Sequence, residues 1–561
     1  MPEQAVRGQD EDLDPSARIA QGANPFVGMT PRHMAAAAAR WAGAASRHPL
    51  VLTSEGLKWA AEQARVAAGV SEIKPDPKDK RFADPAWTHP VWRRVAQSYL
   101  ASARSLLASV DQVGLDPKSA ARARFALGQI AEAAAPTNNL AANPVALRKA
   151  LDTRGRSLVD GAKHLVHDAV RNGGLPSQVD TRPFRVGETI ATSRGEVIHR
   201  HAMFELIQYE PTTARVSARP TLIIPPQINR YYFLDLAPKR SFVEYALGRG
   251  IQIFLISWRN PTPEHRDWGL DDYAAACVEA AEVAADISGQ DSVNVAGFCA
   301  GGMTQCAVLS HLAAQGRDLV RSATLAVTLI DTQITSTLNM FSTERTIRSA
   351  VAASKRKGVL DGRELSRVFA WVRPNDLVWN YWVSNYLLGE DPPAFDVLAW
   401  NADATNLPAA LHREFMAMWN DNALMKPGML NVLGSPVDLE TVKQDAYVVG
   451  ALTDHLVPWQ SAYAATQKLG GDTRFVLSNS GHIQALVNPP GNPKASFYTN
   501  DTNPADPAEW LAGAEQVRSS WWVDWADWTK ARSGETRPKP RNLGSAGHPK
   551  IVAAPGEYVR S

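Results

Sequence analysis

Between residues 185 and 530 the chain alternates short apolar runs with helical patterns, and that alternation limits its fold more than any other feature. The runs VIHRHAMFELIQYEP, RPTLIIPP, GIQIFLISW, SVNVAGFC and SATLAVTLI have strand length, and AYVVGAL and RFVLSNS follow far downstream. Helically spaced apolar residues separate several of them, at 242–248, 271–287 and 303–314. Strands apolar on both faces and joined by helices build a mostly parallel sheet covered on two sides. One interval, 331–437, breaks the alternation. It is rich in Trp, Asn and Pro and is expected as a cap inserted over the C-terminal edge of the sheet.

The first 184 residues read differently. They hold few β-branched clusters, and their patterning is helical near 35–41, over 54–68, from 91 to about 135 and over 144–170. A connector with Pro75, Pro77, Pro85 and Pro90 interrupts them. The expected organisation is an N-terminal arm over 1–30, which is polar, net acidic and mobile, then a helical domain over 31–184. A catalytic α/β domain over 185–530 follows, and a flexible Pro- and Gly-rich tail over 531–561 ends the chain. At 561 residues, with 45% apolar and 21% charged residues, the protein is long enough for two or three folded domains and is not a disordered chain. Lys and Arg total 59 against 57 Asp and Glu, which gives no basis for binding a nucleic-acid backbone. Three cysteines are too few for a disulfide framework and point to a reducing, cytoplasmic compartment. No apolar run reaches the ~18 residues of a membrane span, and the N-terminus lacks the apolar core of a secretory signal.

Chemistry concentrates at Gly297-Phe298-Cys299-Ala300-Gly301-Gly302, which fits the nucleophile elbow G-x-nucleophile-x-G with cysteine in place of serine. The motif closes one expected strand and opens a helix, whose N-terminal dipole favours a thiolate. The α/β-hydrolase fold is therefore expected, with acid and histidine on loops after later strands, in that chain order. AYVVGAL runs into Thr453-Asp454-His455, and RFVLSNS into Gly481-His482. Asp454 and His482 complete a triad with Cys299. His455 is a rival base, but it adjoins Asp454 too closely for the acid to orient its ring. Cys277 falls on a helical core stripe. Cys306 lies seven residues past Cys299, too far along a helix for a disulfide. Trp521, Trp525 and Trp528 stand at the spacing of a helix packed on the core. Trp379, Trp382 and Trp400 have two open readings, the lining of an acyl tunnel or the mere holding together of the cap. No phosphate loop, dinucleotide fingerprint or zinc spacing is present, so neither metal nor cofactor is expected.

The sequence resembles the polyhydroxyalkanoate synthases over nearly its whole length. The likeness rests on RFADPAW (81–87), APTN (135–138), PPQIN (225–229) and SWRNP (257–261). It continues in GFCAGG (297–302), PNDL (374–377), WNYW (379–382), Asp454-His455, GHI (481–483) and NPPGNPK (488–494). The resemblance implies an acyltransferase that polymerises (R)-3-hydroxyacyl-coenzyme A into polyester and releases coenzyme A. Cys299 is then the acyl carrier, His482 its base and Asp454 the third member. The backbone N–H groups of Ala300 and Ile228 form the oxyanion hole. It also implies a homodimer working in the cytoplasm at the surface of polyester granules, where granule-associated proteins are further partners. NGGLPSQ (172–178) and PPQ (225–227) look like the branch often called class II, associated with medium-chain monomers. Two alternatives remain: a cysteine hydrolase on the same fold, either an acyl-coenzyme A thioesterase or a polyester depolymerase, and a non-catalytic granule-associated protein.

Overall fold

Proline starts most of the front helices. In the computed structural model, which describes residues 31–77, 79–334, 343–366, 374–454 and 456–561, the helices α2 (Pro49–Ala68), α3 (Pro90–Gln112), α4 (Pro117–Ala133) and α5 (Pro144–Asp152) all begin on one. Its fixed φ suits the first turn, where its missing N–H leaves no bond unmade. Asp116 and Asn143 cap α4 and α5 by accepting from first-turn amides. With α1 (Pro31–Ala45) and α6 (Arg156–Arg171) they make an all-helical section. The single helical stretch expected from 91 to 135 is broken in two. Gly114 takes a φ of +66°, and Asp116-Pro117 restarts the chain as α4. The expected arm over 1–30 and the rival base His455 lie outside the described residues.

Among the described residues the main sheet of the α/β section has eleven strands: β1 (Gly195–Arg200), β2 (Phe204–Tyr209), β3 (Thr221–Ile224), β4 (Ile253–Trp258), β5 (Val293–Phe298), β6 (Val320–Ala326), β7 (Asp445–Ala451), β8 (Thr473–Ser478), β9 (Phe497–Thr499), β10 (Glu515–Val517) and β11 (Val552–Ala553). Their spatial order is β10-β9-β8-β7-β6-β5-β3-β4-β2-β1-β11. The pairings β4-β3-β5-β6-β7-β8 are parallel. Antiparallel strands flank them on both sides. The long run VIHRHAMFELIQYEP folds as two strands, β1 and β2, rather than one.

Side-chain alternation sorts the core into two layers. On β4, Phe254, Ile256 and Trp258 face one layer while Ile253 and Leu255 face the other; on β5, Val293 and Val295 oppose Ala296 and Phe298. The first layer is covered by α8 (Leu270–Ile287) and α9 (Ala300–Ala314), and the second by α7 (Phe242–Gly248) and α13 (Trp521–Ala531). Trp521, Trp522 and Trp525 are buried there around the Phe242 ring. Among the described residues no helix is long and apolar enough to cross a membrane.

Two expectations change. The interval between β6 and β7 holds α10 (Glu344–Lys357), two π-helical turns at Asn375–Trp379 and Trp382–Leu387, α11 (Asp396–Ala402) and α12 (Ala409–Asp421). Only part of it sits over the strand ends. Leu411, Phe415, Met418 and Trp419 of α12 join the core layer under α8, because that face of α12 is apolar. The tail over 531–561 is also not free. β11 pairs with β1, and Tyr558 and Val559 are buried. The buried carboxylate of Glu205 accepts from the Glu557 and Tyr558 amides, and Arg230 donates to the Tyr558 and Ser561 carbonyls. Its Pro and Gly residues shape a strap that supplies partners to two buried charges.

Candidate active site

The chain turns sharply at the end of β5. Cys299 has φ +51° and ψ −120°, a strained conformation for a residue with a side chain. Its amide donates to the Ala326 carbonyl at the end of β6, and its carbonyl accepts from the Gly302 and Met303 amides as α9 begins. The neighbouring glycines are demanded by close approach. A methyl on Gly297 would stand 2.6 Å from Gln305 Oε1 and 2.7 Å from the Gly302 Cα; on Gly301 it would strike the Ile224 and Pro225 carbonyls; on Gly302, the Thr328 side chain. The turn thus presses α9 against both β6 and the loop after β3, and holds the partly exposed Cys299 above the strand ends.

Strand pairing carries the other two groups to that edge. Leu452 N–H bonds the Ser478 carbonyl and Thr453 N–H the Ser480 carbonyl, so the loops after β7 and β8 leave side by side. Asp454 and His482 meet there at 2.6 Å, from Asp454 Oδ2 to His482 Nδ1. The carboxylate's other oxygen accepts from the Leu456 and Val457 amides at 2.8 and 2.9 Å. Both side chains are almost wholly buried. A carboxylate can only accept, so Nδ1 carries its hydrogen, and the ring's remaining nitrogen is left for the cavity that Cys299 also lines. Burial is the largest influence on His482 and acts to lower its pKa. The Asp454 charge, Cys299 and the hydrogen bond to Asp454 outweigh it, and the value stands above that of an ordinary imidazole.

The two residues expected to bind an oxyanion also lie here. Ala300 is the first residue of α9, where amides have no carbonyl one turn back to bond. Ile228 sits on the loop after β3, the same loop whose Pro225 carbonyl abuts Gly301. Ile228, Cys299 and His482 share a cavity of about 200 Å³. Larger hollows of about 520 and 410 Å³ lie against Arg194 and Lys539, lined by neither Cys299 nor His482, and hold none of the groups named above. The cavity at Cys299 has mostly apolar walls, among them Phe233, Leu377, Val397, Trp400 and Leu486. Sequence reasoning missed all of these except Trp400. The apolar run YYFL (231–234), one residue past PPQIN, was the available signal for Phe233.

The open question over the cap tryptophans divides. Trp400 lines the cavity and donates to the Arg230 carbonyl at 2.7 Å. Trp379 and Trp382 pack edge to face, and Trp382 donates to the Asn138 carbonyl, so they hold the cap to the helical section. Cys277 and Cys306 are buried; burial pushes both thiols up, Cys306 to about 12, and neither is poised to react. Among the described residues no cluster of His, Cys, Asp and Glu could hold a metal ion.

Comparison with known proteins gives two family matches. A model described as "Poly-beta-hydroxybutyrate polymerase (PhaC) N-terminus" matches residues 78–246, and one described as "alpha/beta hydrolase fold" matches 220–489. Poly(3-hydroxyalkanoate) polymerase 2 of Ectopseudomonas oleovorans is 44% identical over 96% of both chains. Polymerase 1 of the same organism is 43% identical over 99% of both. The poly(3-hydroxyalkanoate) polymerase subunit PhaC of Cupriavidus necator is 43% identical over 88% of this chain and 85% of its own. With matches of this extent and an α/β-hydrolase sheet bearing a cysteine elbow, the chain belongs to the poly(3-hydroxyalkanoate) polymerase family.

Proposed function

We propose that the protein polymerises (R)-3-hydroxyacyl-coenzyme A through a thioester on Cys299, with His482 as general base, Asp454 as its orienting acid, and the Ala300 and Ile228 amides as oxyanion donors. The observation that carries this reading is the buried Asp454–His482 hydrogen bond of 2.6 Å, facing a cysteine on a strained elbow. His482 takes the thiol proton as Cys299 Sγ attacks the substrate's thioester carbonyl. The tetrahedral oxyanion collapses, the coenzyme A sulfur leaves, and it carries that proton away as free thiol. His482 then takes the proton of a 3-hydroxyl group, whose oxygen attacks the Cys299 thioester. An ester forms and the cysteine thiol is restored.

Residue choice suits this chemistry. Thioester to thiol is a nearly balanced exchange, and thioester to oxoester runs downhill, so cysteine carries the chain without trapping it. Water must be kept from the acyl-enzyme, and the apolar walls at Leu377, Val397 and Trp400 do this. The cap is read as a cover that opens for substrate. Near-complete mutual coverage with the Ectopseudomonas polymerases, and the NGGLPSQ and PPQ stretches, support the medium-chain branch. Work at the granule surface in the cytoplasm, as a homodimer, belongs to the same proposal. It is supported by apolar side chains that the front helices leave to solvent, such as Leu50 at 83% and Val170 at 75% exposure.

Purified protein given 3-hydroxyacyl-coenzyme A thioesters of graded length tests the reading. Thiol release accompanied by insoluble polyester supports it. Thiol release with free hydroxy acid and no polymer would make the protein a hydrolase, and no release at all a granule-associated protein without catalysis.

A further inference from the structure

Four sequence motifs supply neither the triad nor the oxyanion donors, and they meet at one place. Arg81 of RFADPAW donates through Nη1 to Asn375 Oδ1 of PNDL at 3.1 Å, while its other donors hold Asp79 at 2.7 and 2.9 Å. Trp382 of WNYW donates to the carbonyl of Asn138 in APTN at 3.1 Å. Gln178 donates to the Leu377 carbonyl at 2.7 Å. The backbone between these contacts is π-helical, a rare geometry that recurs at functional positions. It also lies unusually close to α6: a methyl on Gly161 would run into the Tyr386 carbonyl, and Tyr386 OH donates to Asp168 at 2.8 Å.

Leu377 belongs to this segment and is also a wall of the Cys299 cavity. The other walls are fixed differently. Ile228 and Phe233 follow β3, Leu486 lies on the short helix that opens with His482, and Trp400 is bonded to the Arg230 carbonyl. Leu377 therefore takes its position from the helical section, not from the sheet that carries the triad.

We propose that the helical section sets the width of the acyl cavity through the π-helical segment 375–387, with Gln178 and Arg81 as positioning residues for Leu377. The inference rests on the acyltransferase reading. The two ties nearest Leu377, at its own carbonyl and at the Asn375 side chain, set how far this wall stands into the cavity, and it moves outward when either is cut. Longer acyl groups then gain relative to shorter ones, while the triad, fixed to the sheet, is undisturbed.

The test uses the full chain with short- and medium-length 3-hydroxyacyl-coenzyme A thioesters. Gln178→Leu removes the donor to Leu377. Asn375→Ala removes one of several Arg81 partners, and gives the same readout should Gln178→Leu not fold. Each is expected to shift the ratio of kcat/KM, longer over shorter, upward by ~3- to 10-fold, about the worth of a fraction of a methylene's fit. Leu377→Ala should shift it too, and Gln178→Leu added to Leu377→Ala should change it less than ~2-fold further, because the two act through one side chain. An unchanged ratio in Gln178→Leu and Asn375→Ala, whatever the overall rate, overturns the proposal. So do additive shifts in the double variant. Wild-type protein that releases no coenzyme A from any thioester would instead refute the acyltransferase reading.

Discussion

Gly301→Ala separates the oxyanion donors from the nucleophile. The added methyl would lie 2.7 Å from the Pro225 carbonyl oxygen and 2.8 Å from its carbon, where ordinary contact begins near 3.4 Å. Both atoms are backbone, so no side chain can swing aside. The Ile224 carbonyl oxygen stands nearer still, so the end of β3 and the loop after it must retreat by about 1 Å, and Ile228 is carried away from Ala300. A displacement of that size in a catalytic donor costs on the order of 10- to 100-fold in rate, and overpacking a tight contact costs ~1–3 kcal/mol in stability. Acyl transfer needs the oxyanion donors, whereas alkylation of a thiol by iodoacetamide does not. In a variant with unchanged circular dichroism, single-turnover acylation by a non-elongating acyl-coenzyme A should fall by ~10- to 100-fold, while the alkylation rate of Cys299 stays close to wild type. If both rates fall together, or if acylation is unaffected, the assignment of Ile228 and Ala300 is wrong.

Cys299→Ala should lower coenzyme A release by ~10³-fold or more, while Cys277→Ala and Cys306→Ala retain most of the activity; steady-state release assays on the three variants decide this. In Asp454→Asn the charge that raises His482 is gone while burial, which lowers it, remains. The imidazolium should then lose its proton at lower pH than in wild type, as followed by the ring's NMR titration, and an unmoved or higher titration would contradict the account. Removing residues 558–561 strips Arg230 of two carbonyl acceptors and Glu205 of an amide donor. Arg230 keeps Asp403 and Glu205 keeps Arg200 as ion-pair partners, and losing hydrogen bonds to charged groups costs ~1.5–3 kcal/mol, so denaturant midpoints should drop clearly, and an unchanged midpoint would mean the strap is dispensable.

Local pattern made the sheet and the elbow legible. β4, β5 and β7 are short runs apolar on both faces, and Gly297, Cys299 and Gly301 stand at fixed offsets that only a strand-to-helix turn explains. Asp454 and His482 were readable because each directly follows a strand, and parallel strands end on one edge. The cavity walls were not readable in this way. Leu377, Val397 and Phe233 come together through tertiary packing of segments with no shared period, and apolar residues in an irregular interval give no face to assign. The tail misled for a related reason. Its Pro and Gly content describes chain stiffness and turns, and says nothing of Arg230 and Glu205, whose burial leaves them in want of backbone partners more than 300 positions away in sequence.

The most direct measurement is the mass of the peptide bearing Cys299 after brief exposure of the enzyme to an acyl-coenzyme A lacking the 3-hydroxyl group. Such a substrate can acylate the thiol and cannot extend a chain, so the first covalent step accumulates. One acyl group is expected on Cys299, formed as coenzyme A is released and removed by a free thiol. Coenzyme A release with no adduct, or an adduct on Cys277, Cys306 or any other residue, would contradict it.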